Sequence, residues 1–121
     1  MTTLYEYVGG DQWFVDLVDR FFDEVERDPI VRPLYPDDLA ESKENMVGFL
    51  VQFWGGPATY SERKGHPRLR MRHMPFVIGV AERDAWFDDI VAAVRGGGLE
   101  PEVERQVIDY FDNAATAMIN Q

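Results

Sequence analysis

Apolar residues return at helical spacing in four long stretches of the chain. Between Asp11 and Arg27 they recur every three or four residues, so this stretch is predicted to be an amphipathic helix that Asp28-Pro29 ends. No stretch alternates between apolar and polar residues over a useful length, which argues against a β-sheet. The pattern therefore predicts one all-α domain over residues 1–121. The other three predicted helices run from Asp37 or Asp38 to Gly55-Gly56, from about Ala81 to Arg95, and from near Pro101 onward.

Prolines divide the rest of the chain into shorter pieces. The run PIVRPLYPDD at residues 29–38 holds three prolines, and only tight turns are expected there. The run HPRLRMRH at residues 66–73 is predicted to form a short helix, with His66 near its cap and Pro67 in the first turn. Residues 57–66 are predicted to be a loop.

The chain is strongly acidic, with a net charge of −10 at pH 7, and it contains no cysteine. Disulfides and thiolate metal sites are therefore excluded, and the charge argues against nucleic-acid binding, which needs a broad basic surface. The N-terminal residues lack the basic start and long apolar run of a signal peptide, and the most apolar stretch, residues 46–54, is too short to span a bilayer. We therefore expect a cytoplasmic protein that binds neither nucleic acid nor a membrane.

Positive charge and histidine are concentrated in one short segment. Five of the twelve basic residues and both histidines lie within residues 63–73. His73 follows Leu69 by one helical turn, so the imidazole shares a face with an apolar side chain. This arrangement suits a flat apolar ligand with carboxylates, such as haem b, whose iron takes a histidine nitrogen and whose propionates attract arginine. The alternative is a partly buried histidine that only satisfies its own hydrogen bonds.

Three aromatic residues with a polar group lie in separate parts of the chain: Tyr35, Tyr60 and Trp86. Each combines an apolar body with one hydrogen-bond donor, which is what a pocket needs to hold a diatomic ligand on iron. Each also fits an ordinary core or rim position, so the pattern alone leaves both interpretations open.

A long run of the sequence resembles a known family. The run FWGGPATYSERKGHPRLRMRHMPF at residues 53–76 is similar to the signature of group II truncated haemoglobins, and so are YEYVGG, DPIVRPLYP and ERDAW elsewhere in the chain. The resemblance covers nearly the whole chain. It implies an all-α truncated globin fold, in which a two-over-two antiparallel helical sandwich surrounds haem.

The resemblance also implies a set of site residues. It makes His73 the iron ligand and Arg72 a partner of a haem propionate, with Arg70, Lys43 and His66 as secondary candidates. The other haem contacts that it implies are Tyr35, Met46, Phe49, Tyr60, Leu69, Ile78 and Trp86. The residues that it implies for the distal pocket, where a gas ligand would bind, are Phe22, Tyr35, Ser42, Met46 and Trp86.

Two positions depart from the family pattern. Phe22 replaces a tyrosine whose hydroxyl usually donates to the gas ligand, which leaves Tyr35 and Trp86 as the strong donors of the pocket. Asn45 stands where many relatives have an arginine for a propionate. Haem anchoring is therefore expected to depend more heavily on residues 63–73.

The function that these features favour is a haem b protein that reversibly binds O₂, CO and NO at an iron ligated by His73, as a monomer or homodimer. NO dioxygenation or peroxidase-like turnover would extend this function and would need an external reductase or a peroxide. The alternative, from a different class, is a haem-free acidic helical interaction module, in which the arginine-rich stretch docks an acidic partner.

Overall fold

A computed structural model describes residues 2–121, which form helices, turns and loops but no strand. The all-α prediction is therefore confirmed over the described part of the chain. A short 3-10 helix, Arg32–Leu34, lies between the second and third α-helices. The α-helices are α1 (Leu4–Tyr7), α2 (Asp11–Glu26), α3 (Ala40–Phe53), α4 (Thr59–Lys64), α5 (Leu69–His73), α6 (Val80–Arg95) and α7 (Pro101–Ala117).

Helix α2 supplies much of the hydrophobic core. It packs against α3 on one side and against α6 on the other, while α6 also contacts α7 and α3 also contacts α4. Fully burying a leucine- or phenylalanine-sized side chain stabilises a fold by about 1.5–3 kcal/mol, so this stripe accounts for the position of α2. The buried residues of α2 are Phe14, Leu17, Val18, Phe21, Phe22 and Val25.

The glycine pair after α3 allows α1 to lie against the end of that helix. Gly55 has φ +100°, a conformation that side chains rarely adopt, and a Cβ on Gly56 would lie 2.8 Å from the Tyr5 ring of α1. The Tyr5 N–H donates to the Trp54 carbonyl at 3.0 Å across this contact. The pair therefore ends α3, as predicted, and also creates room for the N-terminal helix.

Helix α3 begins at Ala40, two or three residues later than the pattern predicted. The carboxylate of Asp38 accepts a hydrogen bond from the Ala40 N–H at 2.9 Å. Asp38 therefore forms a local turn before the helix, a role in which aspartate competes well with helical hydrogen bonding.

Helix α5 begins at Leu69, later than predicted, so Pro67 lies before the helix and not in its first turn. His66 lies two residues before the N-cap residue, Arg68. The residue before α5, Arg68, has φ +44° and ψ +52°. A right-handed helix cannot continue backwards through a left-handed residue, so the turn before α5 stays outside the helix. In that turn the His66 Nδ1 accepts a hydrogen bond from the Arg68 N–H at 3.1 Å.

The predicted loop over residues 57–66 is also wrong in part, because Thr59–Lys64 form helix α4. Contacts with α3 hold this six-residue helix. Gln52 makes two hydrogen bonds to Ser61, one to the hydroxyl and one from the backbone N–H. Lys64 and Arg63 form ion pairs with acidic residues of α3. A six-residue helix is unstable by itself, so these tertiary contacts decide its formation.

No helix among residues 2–121 combines the length and the apolar character that spanning a bilayer requires.

Candidate functional site

A cavity of about 390 Å³ lies between the helices, with a predominantly apolar wall. Its lining comes from α2, the 3-10 helix and the turn that follows it, the five later α-helices and the segment after α5. The structure brings together the predicted site residues Phe22, Tyr35, Ser42, Met46, Phe49, Tyr60, Leu69, Arg72, His73, Ile78 and Trp86. His66 does not line this cavity and lies exposed in the turn before α5.

His73 is the last residue of α5, and its ring is half-buried in the cavity wall. Its Nδ1 lies 2.6 Å from the carbonyl oxygen of Leu69. A carbonyl can only accept, so Nδ1 carries the proton and donates it to Leu69. The other ring nitrogen, Nε2, then keeps its lone pair, which is the form of imidazole that binds a metal.

Arg72 occupies the edge of the cavity, but most of its hydrogen-bonding capacity is used within the chain. Its Nε donates to the Pro67 carbonyl at 2.6 Å, and its Nη2 donates to the carbonyls of Lys64 at 2.7 Å and His66 at 3.2 Å. Arg72 therefore holds the turn before α5 against that helix. Only Nη1 is left for the propionate contact that the sequence suggested.

The other basic residues near the site differ in their surroundings. Arg63 pairs with Glu44 at 2.9 Å, and Lys43 lies 3.7 Å from Asp19. Neither Lys43 nor Arg70 lines the cavity. The basic segment is thus not one uniform positive patch, because part of it is neutralised by acids of neighbouring helices.

Tyr35 and Trp86 meet in the cavity wall although 51 residues separate them in the chain. The Trp86 Nε1–H donates to the Tyr35 hydroxyl oxygen at 3.2 Å. Trp86 uses its single hydrogen-bond donor for Tyr35, whereas the Tyr35 O–H remains available to donate to another group. The pair therefore provides one free donor, the tyrosine hydroxyl, rather than two independent ones.

The Tyr35 hydroxyl stays protonated well above neutral pH. Burial raises its pKa to about 12; the hydrogen bond from Trp86 acts in the opposite direction, and the negative charge of Asp89 adds to the rise. A neutral hydroxyl is a constant hydrogen-bond donor, so pH does not switch this group off.

Phe22 and Asn45 are the two departures from the family pattern, and both line the cavity. The Phe22 side chain is buried, and its ring meets the Tyr35 ring edge to face with 5.1 Å between centroids. The Asn45 Oδ1 is buried and has no hydrogen-bond partner among the described residues. A buried amide oxygen without a partner is costly, so a polar group within the cavity would satisfy it.

Arg32 is a supporting residue that the sequence analysis missed. Its guanidinium donates to the carbonyls of Tyr35, Pro36 and Asp37 at 3.3, 3.0 and 3.0 Å. These bonds fix the proline-rich turn from which Tyr35 enters the cavity. An arginine inside a proline-rich run is the only signal that the sequence offered for this role.

A second missed feature is a carboxyl pair formed by Asp28, after α2, and Asp89, on α6. Asp89 is 8% exposed, and its Oδ2 has no hydrogen-bond partner among the described residues. Burial raises its pKa to about 7, together with the hydrogen bond and charge of Asp28 and the charges of Glu24 and Asp88. The pair lies near Tyr35, since the Asp89 charge acts on that hydroxyl.

Asp28 keeps its proton less readily than Asp89. Burial acts to raise its pKa, but hydrogen bonds from the Asp89 carboxyl and from the backbone N–H groups of Ile30 and Val31 lower it overall. Asp28 is therefore the ionised member, and Asp89 supplies the proton that joins the two carboxyls. The two interacting carboxyls belong to α6 and to the turn after α2.

The cavity wall fits haem better than it fits a free metal ion. Among residues 2–121 there is no group of three or more histidine, cysteine or acidic side chains that could hold a metal. His73 offers one nitrogen ligand, which suits a metal that brings its remaining ligands with it, as the iron of a porphyrin does. The apolar wall suits the macrocycle.

Comparison with known proteins decides the family. The model of the family described as "Bacterial-like globin" matches residues 3–120. The chain is 38% identical over 117 residues to the group 2 truncated hemoglobin YjbI of Bacillus subtilis, which covers 97% of this chain and 88% of that protein. The chain belongs to the bacterial-like globins, as a group II truncated haemoglobin.

Solved structures of bacterial haemoglobins support the same conclusion. The hemoglobin of the thermophilic phototroph Chloroflexus aurantiacus is 49% identical, with a TM-score of 0.96 and coverage of 100% of both chains. The structure described as a truncated oxygen-avid haemoglobin from Bacillus subtilis is 36% identical, with a TM-score of 0.92 over 98% of this chain and 100% of that one. The predicted truncated globin fold is thus confirmed. Membership of this family implies haem binding in general.

Proposed function

We propose that this truncated haemoglobin holds haem b through the His73 Nε2 and reversibly binds O₂ and other diatomic ligands such as CO and NO in the cavity beside Tyr35. The observation that carries the proposal is the hydrogen bond between the His73 Nδ1 and the Leu69 carbonyl at 2.6 Å. That bond leaves Nε2 unprotonated in the wall of an apolar cavity of about 390 Å³. Haem would supply an iron with one exchangeable ligand position.

The chain's own residues would provide three functions around the group. Apolar side chains such as Phe49, Leu69 and Ile78 would contact the macrocycle and exclude water. The free Nη1 of Arg72 would contact its polar edge. The Tyr35 hydroxyl, kept neutral and oriented by Trp86, would donate a hydrogen bond to the gas ligand.

Two observations favour gas binding over the haem-free interaction module. The family implies haem binding, and the Bacillus subtilis relative is described as oxygen-avid. NO dioxygenation and peroxidase turnover would use the same cavity but would need an external electron donor or a peroxide. Reversible ligand binding needs neither, so we propose it as the basic function.

Haem uptake by matched histidine variants tests this proposal. Purified protein is titrated with haem, and the Soret band and the rate of haem loss to an excess of a haem-scavenging apoglobin are measured. We expect His73→Ala to lose haem at least about tenfold faster than the parent, since it removes the iron ligand. His66→Ala is the control, because His66 lies outside the cavity. Equal haem retention in the parent and in His73→Ala would show that His73 is not the ligand.

A further inference from the structure

The segment that leaves His73 is held by a residue near the C-terminus. Asn120 follows α7 and contacts residues 73–78 with its backbone and with both ends of its side-chain amide. Its Nδ2 donates to the carbonyls of His73 at 3.3 Å and Phe76 at 2.8 Å. Its Oδ1 accepts from the Ile78 N–H at 2.9 Å.

This segment has little else to hold it. Pro75 cannot donate a backbone hydrogen bond, so α5 cannot continue past it. Met74, Phe76 and Val77 are 57%, 44% and 64% exposed, which means that burial does not fix them. Only Ile78, at 8% exposed, anchors the segment in the core. The amide of Asn120 therefore supplies three of the polar contacts that define the path of the chain after His73. The backbone adds a bond from the Phe76 N–H to the His73 carbonyl at 3.0 Å and one from the Asn120 N–H to the Ile78 carbonyl at 2.9 Å.

Helix α5 itself is too short to hold the histidine in place. It has five residues and no side-chain cap at its N-terminus, and a helix of that length is unstable without tertiary contacts. Arg72 fastens the turn before the helix through three carbonyls. Asn120 fastens the chain after it, and one of its bonds goes directly to the carbonyl of His73. The imidazole is thus carried by a short helix that is clamped at both ends.

We propose that Asn120 is a positioning residue for the iron ligand, which acts by holding the backbone of His73 and the chain that follows it so that the imidazole keeps one orientation toward the iron. This inference rests on the proposed function, because it assumes that His73 ligates haem. Outer contacts of a metal ligand set its orientation, and their loss commonly costs about tenfold or more in metal affinity. An asparagine suits the position because one short side chain supplies both donor and acceptor.

Two substitutions separate the parts of the clamp. Asn120→Leu keeps a similar volume and removes all three side-chain bonds. Asn120→Asp keeps the acceptor for Ile78 and loses the donors for His73 and Phe76. Both variants keep the backbone bond from the Asn120 N–H to the Ile78 carbonyl at 2.9 Å, so the segment remains attached to α7 and both proteins should fold.

The matched control is Gln52→Leu. The side-chain amide of Gln52 also holds a short helix, α4, through two hydrogen bonds to Ser61, but Gln52 does not line the cavity. Its loss should lower the melting temperature without a specific effect on His73. Comparison of the two amides therefore distinguishes positioning of the ligand from general loosening of the fold.

The readouts are the iron–histidine stretching band of the ferrous protein by resonance Raman spectroscopy, the rate of haem loss, and amide hydrogen exchange of the haem-free protein. For Asn120→Leu and Asn120→Asp we expect a shifted or broadened band and about tenfold faster haem loss. The Ile78 N–H should exchange faster in Asn120→Leu and remain protected in Asn120→Asp. Gln52→Leu should leave the band and the rate of haem loss as in the parent.

Three other results would count against the inference, and they can be told apart. An unchanged band in Asn120→Leu overturns it, whatever the melting temperature does. An equal change in Gln52→Leu overturns it too, because the effect would then come from general loosening. If the parent itself shows no iron–histidine band after haem uptake, the proposed function fails and this inference fails with it.

Discussion

The buried carboxyl of Asp89 should make the stability of the fold depend on pH in a predictable direction. Asp89 lies on α6, one turn after Trp86, and its carboxyl interacts with that of Asp28. Its pKa is raised from 3.8 to about 7 by burial and by the neighbouring acids. The folded protein therefore holds this proton more tightly than the unfolded chain does. The stability that the proton contributes is complete below about pH 4 and is lost as the pH rises toward and through 7.

The size of the effect follows from the pKa rise. Three pKa units at about 1.4 kcal/mol each amount to about 4 kcal/mol over the whole range. Between pH 5 and pH 8 the loss should be about 2–3 kcal/mol, because part of the range lies below pH 5. Asp89→Asn has nearly the same shape and does not titrate, and its amide can donate to Asp28 at every pH. It should therefore unfold at higher denaturant concentration than the parent at pH 8.

Urea unfolding followed by far-ultraviolet circular dichroism at pH 5, 6, 7 and 8 measures this difference. The free energy of unfolding of Asp89→Asn relative to the parent should rise by about 2–3 kcal/mol from pH 5 to pH 8. Asp88→Asn is the matched control, since Asp88 is an exposed neighbour on the same helix and its charge is the smallest of the causes that raise the Asp89 pKa. Its curve should therefore stay close to parallel with that of the parent. A relative free energy that stays constant to within about 0.5 kcal/mol across this range would refute the reasoning, because Asp89 would then titrate as an ordinary surface carboxyl.

Further predictions concern the cavity and α5. Tyr35→Phe removes the free donor and should raise the O₂ dissociation rate about tenfold or more, measured by stopped-flow displacement with CO; an unchanged rate would mean that the hydroxyl does not contact the ligand. Phe22→Tyr adds a hydroxyl beside Tyr35 and should slow the same rate, unless position 22 faces away from the ligand. Arg72→Ala removes three hydrogen bonds to backbone carbonyls and should lower the stability by about 2 kcal/mol in thermal unfolding. Arg70→Ala should change the stability little, and equal effects of the two substitutions would contradict the role of Arg72 in holding α5.

The long helices could be predicted from the sequence because their apolar residues follow the helical period. The buried stripe of α2 is the clearest example. Helix α6 begins and ends close to the predicted residues, and α7 begins at the predicted Pro101. The short helices could not be predicted in the same way. Helix α4 depends on Gln52 and on ion pairs with α3, and the start of α5 depends on the left-handed conformation of Arg68. Neither cause has a periodic signal.

Much of the candidate site could also be inferred from the sequence, while its supporting contacts could not. The residue types around His73 and the family signature pointed to the side chains that the structure gathers around one cavity. The signal for Asp28 was present, since an aspartate before proline often accepts from the backbone two residues on, as it does here from Ile30. Asp89 and Asn120 had no such signal, because their partners lie far away in the chain.

The sequence by itself determined the all-α class, the family and the types of side chain at the site, because local periodicity and a long specific motif are properties of neighbouring residues. Tertiary structure alone decided which hydrogen bonds those side chains make. It directs Arg72 to the chain's own carbonyls, joins Trp86 to Tyr35 and brings Asn120 to the backbone of His73. The physical reason is that each of these bonds depends on how separate segments pack, and packing is settled by the whole core rather than by any one segment.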